Sequence, residues 1–600
     1  YENKANGNFL KINFEGSKQN KFGFGAKAVI HHNGKTQTAE NTVTRGYLSS
    51  IEPGLFFGLG KDIEVSKVEI IWPDGKTNVF ENVSANVDLT AHYSKAKTIH
   101  KTNANDKTLL NEVSSASLGL SFIHKENEFD EYKEEILLPH NISQNGPFTS
   151  IGDVNKDGLN DIFIGGALGQ GGLLYIQTEN ESFVENSSQP WSQDKDSEDL
   201  GALFFDVDQD NDLDLYITSG GSEYSQGNPL LKDRLYINDG SGNFTKNENA
   251  VPNIYESTEC VKTSDVDNDG DLDLFIGTRL ISGKYGFPAS SYILLNNNGI
   301  FKKAPNETTE DLINIGMVTD AVFSDIDRDN DEDLILVGEW MEIQVLENIE
   351  GIFTKNSDKF GLNDTRGLWW SITAKDLDGD GDEDFIIGNL GSNNKFNATK
   401  EHPFKVYVND FDDNGTNDVV LAKFYMDDYV PVRGRECTSQ QMPYVAEKFK
   451  DYHSFASSKL IDILPEDKIE EGLVYEIKNF ESIILFNEGG QLVRKPLPIQ
   501  AQTTPVKSSI IMDFNKDGVN DILTVGNHYG VEVETTRYDA GIGNLFLGDA
   551  QNGYRSLSAS ESGLYVPFDS RDIKIIEQNG KSLVIITNNN AAISVFSIFN

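Results

Sequence analysis

Cysteine is nearly absent. Two residues in 600, Cys260 and Cys437, make no disulfide framework and leave no thiolate zinc site. They pair or stay free, and their spacing does not decide which. Positive charge is also scarce: 51 Lys and Arg face 95 Asp and Glu, a net of −44. With no basic face in view, nucleic-acid binding is excluded. No apolar run approaches the roughly 18 residues that a bilayer demands, so no transmembrane segment is expected. The chain opens at Tyr1, shows no signal-peptide pattern and reads as a processed or trimmed chain. Enzyme signatures are missing too: there is no H-E-x-x-H, no G-x-S-x-G and no phosphate-cradling Gly loop before a helix. Nine His are scattered. His31 and His32 fall in an expected strand and read as surface residues. His453 and His528 lie in or near 421–530, where a site can form.

What is present points to turns and strands. Gly numbers 53, and Phe and Tyr together 56. Six hundred residues exceed one compact core, so two or more domains are expected. The acid is held in short loops rather than in a tail, which argues for metal.

Seven loops follow one pattern, D-x-[DN]-x-[DN]-[GN]-x-x-D. The first is "DVNKDGLND", with Asp153, Asn155, Asp157 and Asp161 at positions 1, 3, 5 and 9. The second offers Asp206, Asp208, Asp210 and Asp214. In the third, "DVDNDGDLD", they are Asp265, Asp267, Asp269 and Asp273. The fourth has Asp325, Asp327, Asp329 and Asp333, and the fifth Asp376, Asp378, Asp380 and Asp384. The sixth, "DFDDNGTND", carries Asp410, Asp412, Asn414 and Asp418. The seventh carries Asp513, Asn515, Asp517 and Asp521. Oxygens at positions 1, 3 and 5 of a tight loop can converge on one ion. Gly or Asn at position 6 permits the turn, position 7 offers its carbonyl and position 9 closes the set. Hard oxygen ligands in this number suit Ca²⁺, up to seven ions, better than Mg²⁺. Unlike an EF-hand, the loop has no Glu at position 12, and it leads into a short apolar strand such as "LFIG" rather than a helix.

The starts lie mostly 50–60 residues apart, the period of a propeller or solenoid. Hairpin-like stretches between loops, such as "RLYINDGSGNFTK" (234–246), bring each repeat to four strands. The expected fold is all-β: a β-propeller over 118–600 of seven blades, with eight as the alternative. Six blades begin at the loops at 153, 206, 265, 325, 376 and 513. The seventh is "DIKIIEQNGKSLVIITNNN" (572–590), without its acidic residues. An insertion at about 421–475 reads partly helical. It carries Tyr429, Arg433, Arg435 and Glu436, and it reads either as a binding surface or as a cap on the propeller. Ahead lie a small β-sandwich-like domain at 1–97 and a linker at 98–117. Trp369 and Trp370 read either as core or as a stacking platform for sugar rings.

The loops and the Y-x-N-x-G-x-F hairpins resemble the FG-GAP/VCBS repeats of integrin α-type propellers, over about 115–600. Residues 23–93, with Gly23, Gly25, Ala26, Gly46, Tyr47, "FGLG" (57–60) and "WPDGK" (72–76), resemble an ASPIC/UnbV domain. The chain is similar to the C-terminal half of large bacterial surface proteins in which a further propeller precedes the ASPIC/UnbV domain. The resemblance implies such a propeller upstream of Tyr1. It also implies an accessory lipoprotein role beside a SusCD-type outer-membrane receptor–lipoprotein complex that imports glycan or peptide.

The expected function is that of a non-enzymatic, calcium-stabilised binding or scaffold protein at the cell surface, outer face. Its expected partners are a protein complex of the outer membrane and possible polysaccharide. Two alternatives stand: a polysaccharide lyase or hydrolase built on a propeller, and a cell-adhesion protein. Calcium is expected to act as a staple, and millimolar extracellular calcium suffices for weak sites of about 10⁻⁴–10⁻³ M.

Overall fold

The computed structural model describes residues 7–97, 108–549, 551, 553–578 and 580–599. It divides into two compact units, Tyr1–Asp106 and Lys107–Asn600.

In the first unit, strands Lys27–His32, Glu64–Ile71 and Thr77–Ser84 form where the apolar alternation ran, joined by Lys35–Glu40 in a four-stranded sheet. A second sheet holds Leu55–Gly60, Asn8–Glu15 and Val87–His92. Leu10, Ile12 and Phe57 of one sheet share a core with Ala28, Val68 and Ile70 of the other, which makes a β-sandwich.

The second unit is a β-propeller. Seven antiparallel sheets share one construction among the described residues. Each runs from a first strand through an acidic loop or its counterpart to a second strand, and in six of them a hairpin follows. The first strands begin at Thr149, Glu198, Ser257, Met317, Ser371, Val506 and Ser570. Each adjoins the next, and the last adjoins the first, so the ring closes.

The second strands explain the unbroken apolar runs. With side chains alternating across a strand, each such strand feeds two cores. Leu274 and Ile276 pack toward the preceding sheet, and Phe275 toward the following one. Leu215 and Ile217 likewise face back while Tyr216 faces forward. Both faces are buried, so the sequence shows continuous rather than alternating apolarity.

Three boundaries differ from the sequence reading. Leu110–Val113, read as linker, pairs with Ser594–Ile598 as the outermost strand of the last sheet. The interruption of the fifth sheet is longer than 421–475: its second strand ends at Gly388 and its third begins at Ile483. The intervening chain builds its own four-stranded sheet from Phe404–Asn409, Asp418–Tyr425, Asp428–Pro431 and Leu473–Ile477. Five short helices lie between Arg435 and Glu471. The cycle of adjoining first strands omits this eighth sheet.

Residues 120–148 cross the end of the ring opposite the acidic loops. Ile123 bridges Ala592, Asn141 N–H donates to Gly530 O (2.7 Å), and Ile136 N–H donates to Gln441 Oε1 (2.8 Å). Each touches a segment at the strand ends remote from the loops, or the insertion. Arg433 fixes the insertion to this crossing segment: it is buried and donates to Leu138 O at 2.9 Å. The insertion helices pack with Leu137 in one core, as a cap does. Trp369 and Trp370 are both buried and form no exposed platform. Cys260 and Cys437 are both free.

Candidate metal centres

Every acidic loop joins a first strand to a second strand, except the sixth, which joins Phe404–Asn409 to Asp418–Tyr425 within the insertion. The backbone of all seven folds alike. Position 6 has positive φ throughout: Gly158, Asn211, Gly270, Asn330, Gly381, Gly415 and Gly518. Position 4 does too, with Lys156, Gln209, Asn268, Arg328, Asp413 and Lys516 at φ between 57° and 64°. That second left-handed residue was not read from the sequence, because no glycine marks it except Gly379.

Position 1 organises the turn. In the third loop Asp265 Oδ1 accepts the Asp269 N–H (3.0 Å) and Oδ2 the Gly270 N–H (3.0 Å). Asp153, Asp206, Asp325, Asp410 and Asp513 accept the N–H groups of positions 5 and 6 in the same way. Asp376 instead takes those of Gly379 and Gly381.

Position 9 lies deeper. Asp161, Asp214, Asp273, Asp333, Asp384, Asp418 and Asp521 are all buried. One oxygen of each accepts the N–H of position 2, as from Val266 to Asp273 (3.1 Å). In six loops the other oxygen accepts an N–H from the third strand or its end, as from Asn296 to Asp273 (2.7 Å). In the sixth loop it accepts from Gln441 Nε2 (2.8 Å). Burial, with the neighbouring carboxylates, pushes the carboxyl of Asp161, Asp214 and Asp333 up to about 7 and that of Asp273 up to about 6.

The structure brings ligand oxygens within 4.8 Å of one another in five loops. In three the set is positions 1, 3 and 5: Asp206, Asp208 and Asp210; Asp265, Asp267 and Asp269; Asp325, Asp327 and Asp329. In two it is positions 1, 3 and 9: Asp376, Asp378 and Asp384; Asp410, Asp412 and Asp418. The first and seventh loops carry Asn155 and Asn515 at position 3. There Asp157 N–H donates to Asn155 Oδ1 (3.1 Å) and Asp517 N–H to Asn515 Oδ1 (3.0 Å).

These sets fit a divalent cation on their own chemistry. Asp208 Oδ1 and Asp327 Oδ1, both at position 3, are buried without a hydrogen bond. Burial and the adjacent carboxylates raise Asp208, Asp267 and Asp412 above the usual carboxylate range. A cation removes that repulsion and supplies the missing partner.

A further regularity links neighbouring loops. The position-4 side chain reaches toward position 7 of the next loop in the ring. Lys156 Nζ lies 3.8 Å from Asp212, Gln209 Nε2 donates to Gly270 O (2.9 Å) and to Asp271, and Asn268 Nδ2 donates to Asp331 (3.5 Å). Arg328 pairs with Asp382. Where the preceding loop has Gly379, position 7 of the next is Val519. Where no acidic loop precedes in the ring, it is Leu159.

The polar residues at the opposite end gather without opening to solvent. Arg279 pairs with Glu259 (2.8 Å) and Glu339, His140 Nε2 lies 3.1 Å from Glu339, and Tyr285 Oη donates to Glu339 (2.7 Å). All five are buried beneath or within the crossing segment. His528, singled out in the sequence, is buried 5.0 Å from the His140 ring. His32 Nδ1 lies 2.7 Å from Asp62 in the sandwich.

Two family profiles agree with this architecture. The ASPIC and UnbV profile matches residues 16–98, and the FG-GAP-like repeat profile matches residues 206–276 and 325–387. No curated protein matches the chain. Among solved structures, the V. cholerae biofilm matrix protein Bap1 is similar at 12% identity, covering 82% of this chain and 91% of that one, with a TM-score of 0.33. Saccharomyces cerevisiae Sqt1 is similar at 12% identity, with 77% and 100% coverage and a TM-score of 0.37. The Dos1 propeller is similar at 10% identity, with 81% and 97% coverage and a TM-score of 0.33. No helix of the described residues is long and apolar enough to cross a membrane. The chain is an N-terminal ASPIC and UnbV domain followed by a β-propeller that carries FG-GAP-like repeats.

Proposed function

We propose that this chain is a calcium-stabilised, non-enzymatic binding or scaffold protein of the cell surface. It serves as an accessory of an outer-membrane complex that takes up glycan or peptide. The observation that carries the reading is repetition. Seven loops share one backbone design, five of them gather carboxylate oxygens, and six of the seven sit at one end of a closed ring. A bound calcium would join position 1, which holds the turn, to position 3, one oxygen of which has no other partner in two loops. Calcium that binds only the folded ring stabilises it by mass action. A site with a dissociation constant of about 10⁻⁴ M contributes about 1.4 kcal/mol at about 1 mM calcium. Such sites fill outside the cell and stay empty in the cytosol.

The non-enzymatic reading is supported by the burial of the Arg279–Glu339–His140 group, which leaves no cleft there for a polymer. Thermal unfolding of the full chain with calcium and with excess chelator tests the staple. The expected outcome is a fall in melting temperature of ten degrees or more, on the order of several such sites together. Superimposable melting curves would count against it. Co-purification from native outer membranes tests the scaffold role, since a receptor–lipoprotein companion is expected and recovery without one contradicts it.

A further inference from the structure

The axis of the propeller is a channel of about 420 Å³, lined by the first strands. Its rim lies at the acidic-loop end, where Lys262 and Lys574 are 35% and 40% exposed. Its floor is Trp370, Lys507, Arg571 and Glu259, none more than 8% exposed. From Lys507 to Ile511 along one lining strand the depth is about 13 Å.

The charge inside is opposite to that of the whole chain. Five basic side chains line the channel (Lys262, Lys375, Lys507, Arg571 and Lys574) against three carboxylates (Glu259, Asp320 and Asp572), a formal excess of two positive charges in a chain of net −44. The carboxylates are already engaged. Asp320 takes Lys262 (2.9 Å) and Asp572 takes Lys574 (3.2 Å) and Thr149 Oγ1 (2.6 Å). Glu259 Oε1 takes Arg279, leaving Oε2 without a partner.

The floor has donors without acceptors. Lys507 Nζ is buried, makes no hydrogen bond and lies over the Trp370 ring. Trp370 Nε1 and Arg571 Nε also lack acceptors. Burial and the nearby Arg571 and Arg279 guanidiniums hold the Lys507 ammonium well below the usual lysine range. A buried, unpaired ammonium is costly, and an acceptor that is itself negative removes the cost. A cavity of this volume matches small-molecule sites.

We propose that the axial channel binds a small oxyanion-bearing molecule, a carboxylate or a phosphate monoester, with its charged end against Lys507 and Arg571. This site is separate from the metal loops and does not depend on the scaffold reading. The test is crystallographic, on the calcium-loaded full chain with bromide as the only halide. An anomalous bromide peak is expected within hydrogen-bond reach of Lys507 Nζ. It should be lost in Lys507→Met and kept in Lys574→Gln at the rim. Formate and methyl phosphate are then added separately. Displacement of the peak by formate identifies a carboxylate site, and displacement by methyl phosphate alone a phosphate site. A wild-type channel that holds only water in bromide overturns the proposal. So does a peak that survives Lys507→Met.

Discussion

Asp265 shows how much one loop carboxylate carries. It accepts two backbone N–H groups and stands in a cluster with Asp267 and Asp269. Replacing it with alanine removes both roles. Asp265→Ala is expected to cost about 2–3 kcal/mol in calcium and to lose a bound ion, checked by urea unfolding and by metal analysis of the dialysed protein. Carboxyls are buried at the ring's other end as well. Burial pushes Glu126, beside Glu223 and Asp569, up to about 7, and it pushes Glu223, beside Glu131, up to about 7 as well. An acid with a raised folded-state value keeps its proton on folding, so stability falls as pH rises from its unfolded value toward about 7. Glu126→Gln removes that ionisation and is expected to gain on the wild type between about pH 5 and about pH 8, read from paired urea titrations. The loop aspartates were legible because their spacing is local. The Arg279–Glu339–His140 group was not, since its members come from distant segments and leave no pattern in the chain.

Among elements, the links from position 4 to position 7 tie neighbouring sheets at their loop ends. Arg328 is mostly exposed while Asp382 is buried, so the pair has surface character on one side. A double-mutant cycle with Arg328→Ala and Asp382→Ala is expected to give a coupling of about 0.5–1 kcal/mol, decreasing with salt. A coupling of zero would mean that the residues meet without mutual stabilisation. Both positions stand in the repeat, yet the pattern appears only when one loop is compared with the next rather than with itself. The second strands were readable from their apolar runs and terminal glycines. The insertion was readable only in its helical middle: "FKVYVN" (404–409) looks like any propeller strand, and only its pairing with Leu473–Ile477 assigns it elsewhere.

At the scale of the whole molecule, the ring depends on an edge strand of four residues, Leu110–Val113. Its sequence, "LNEV", has neither an apolar run nor a turn signal, so it passed for linker. Its partner is almost the whole chain away: Asn111 O accepts from Ser597 Oγ across a separation of 486 residues. Leu110 is fully buried in the core between the last two sheets. Leu110→Ala is expected to destabilise the propeller by about 2–5 kcal/mol, the range for a large-to-small change in a core, measured by denaturant unfolding of the calcium-loaded protein.

That distant pairing sets an order of events during synthesis. Sheets one to six can stack as they leave the ribosome, each against its predecessor. The seventh lacks its outer member until Ser594–Ile598 has emerged and met a segment made almost five hundred residues earlier. Until then the nascent propeller is an open arc, with a bare strand at one flank and an unfilled groove at the other.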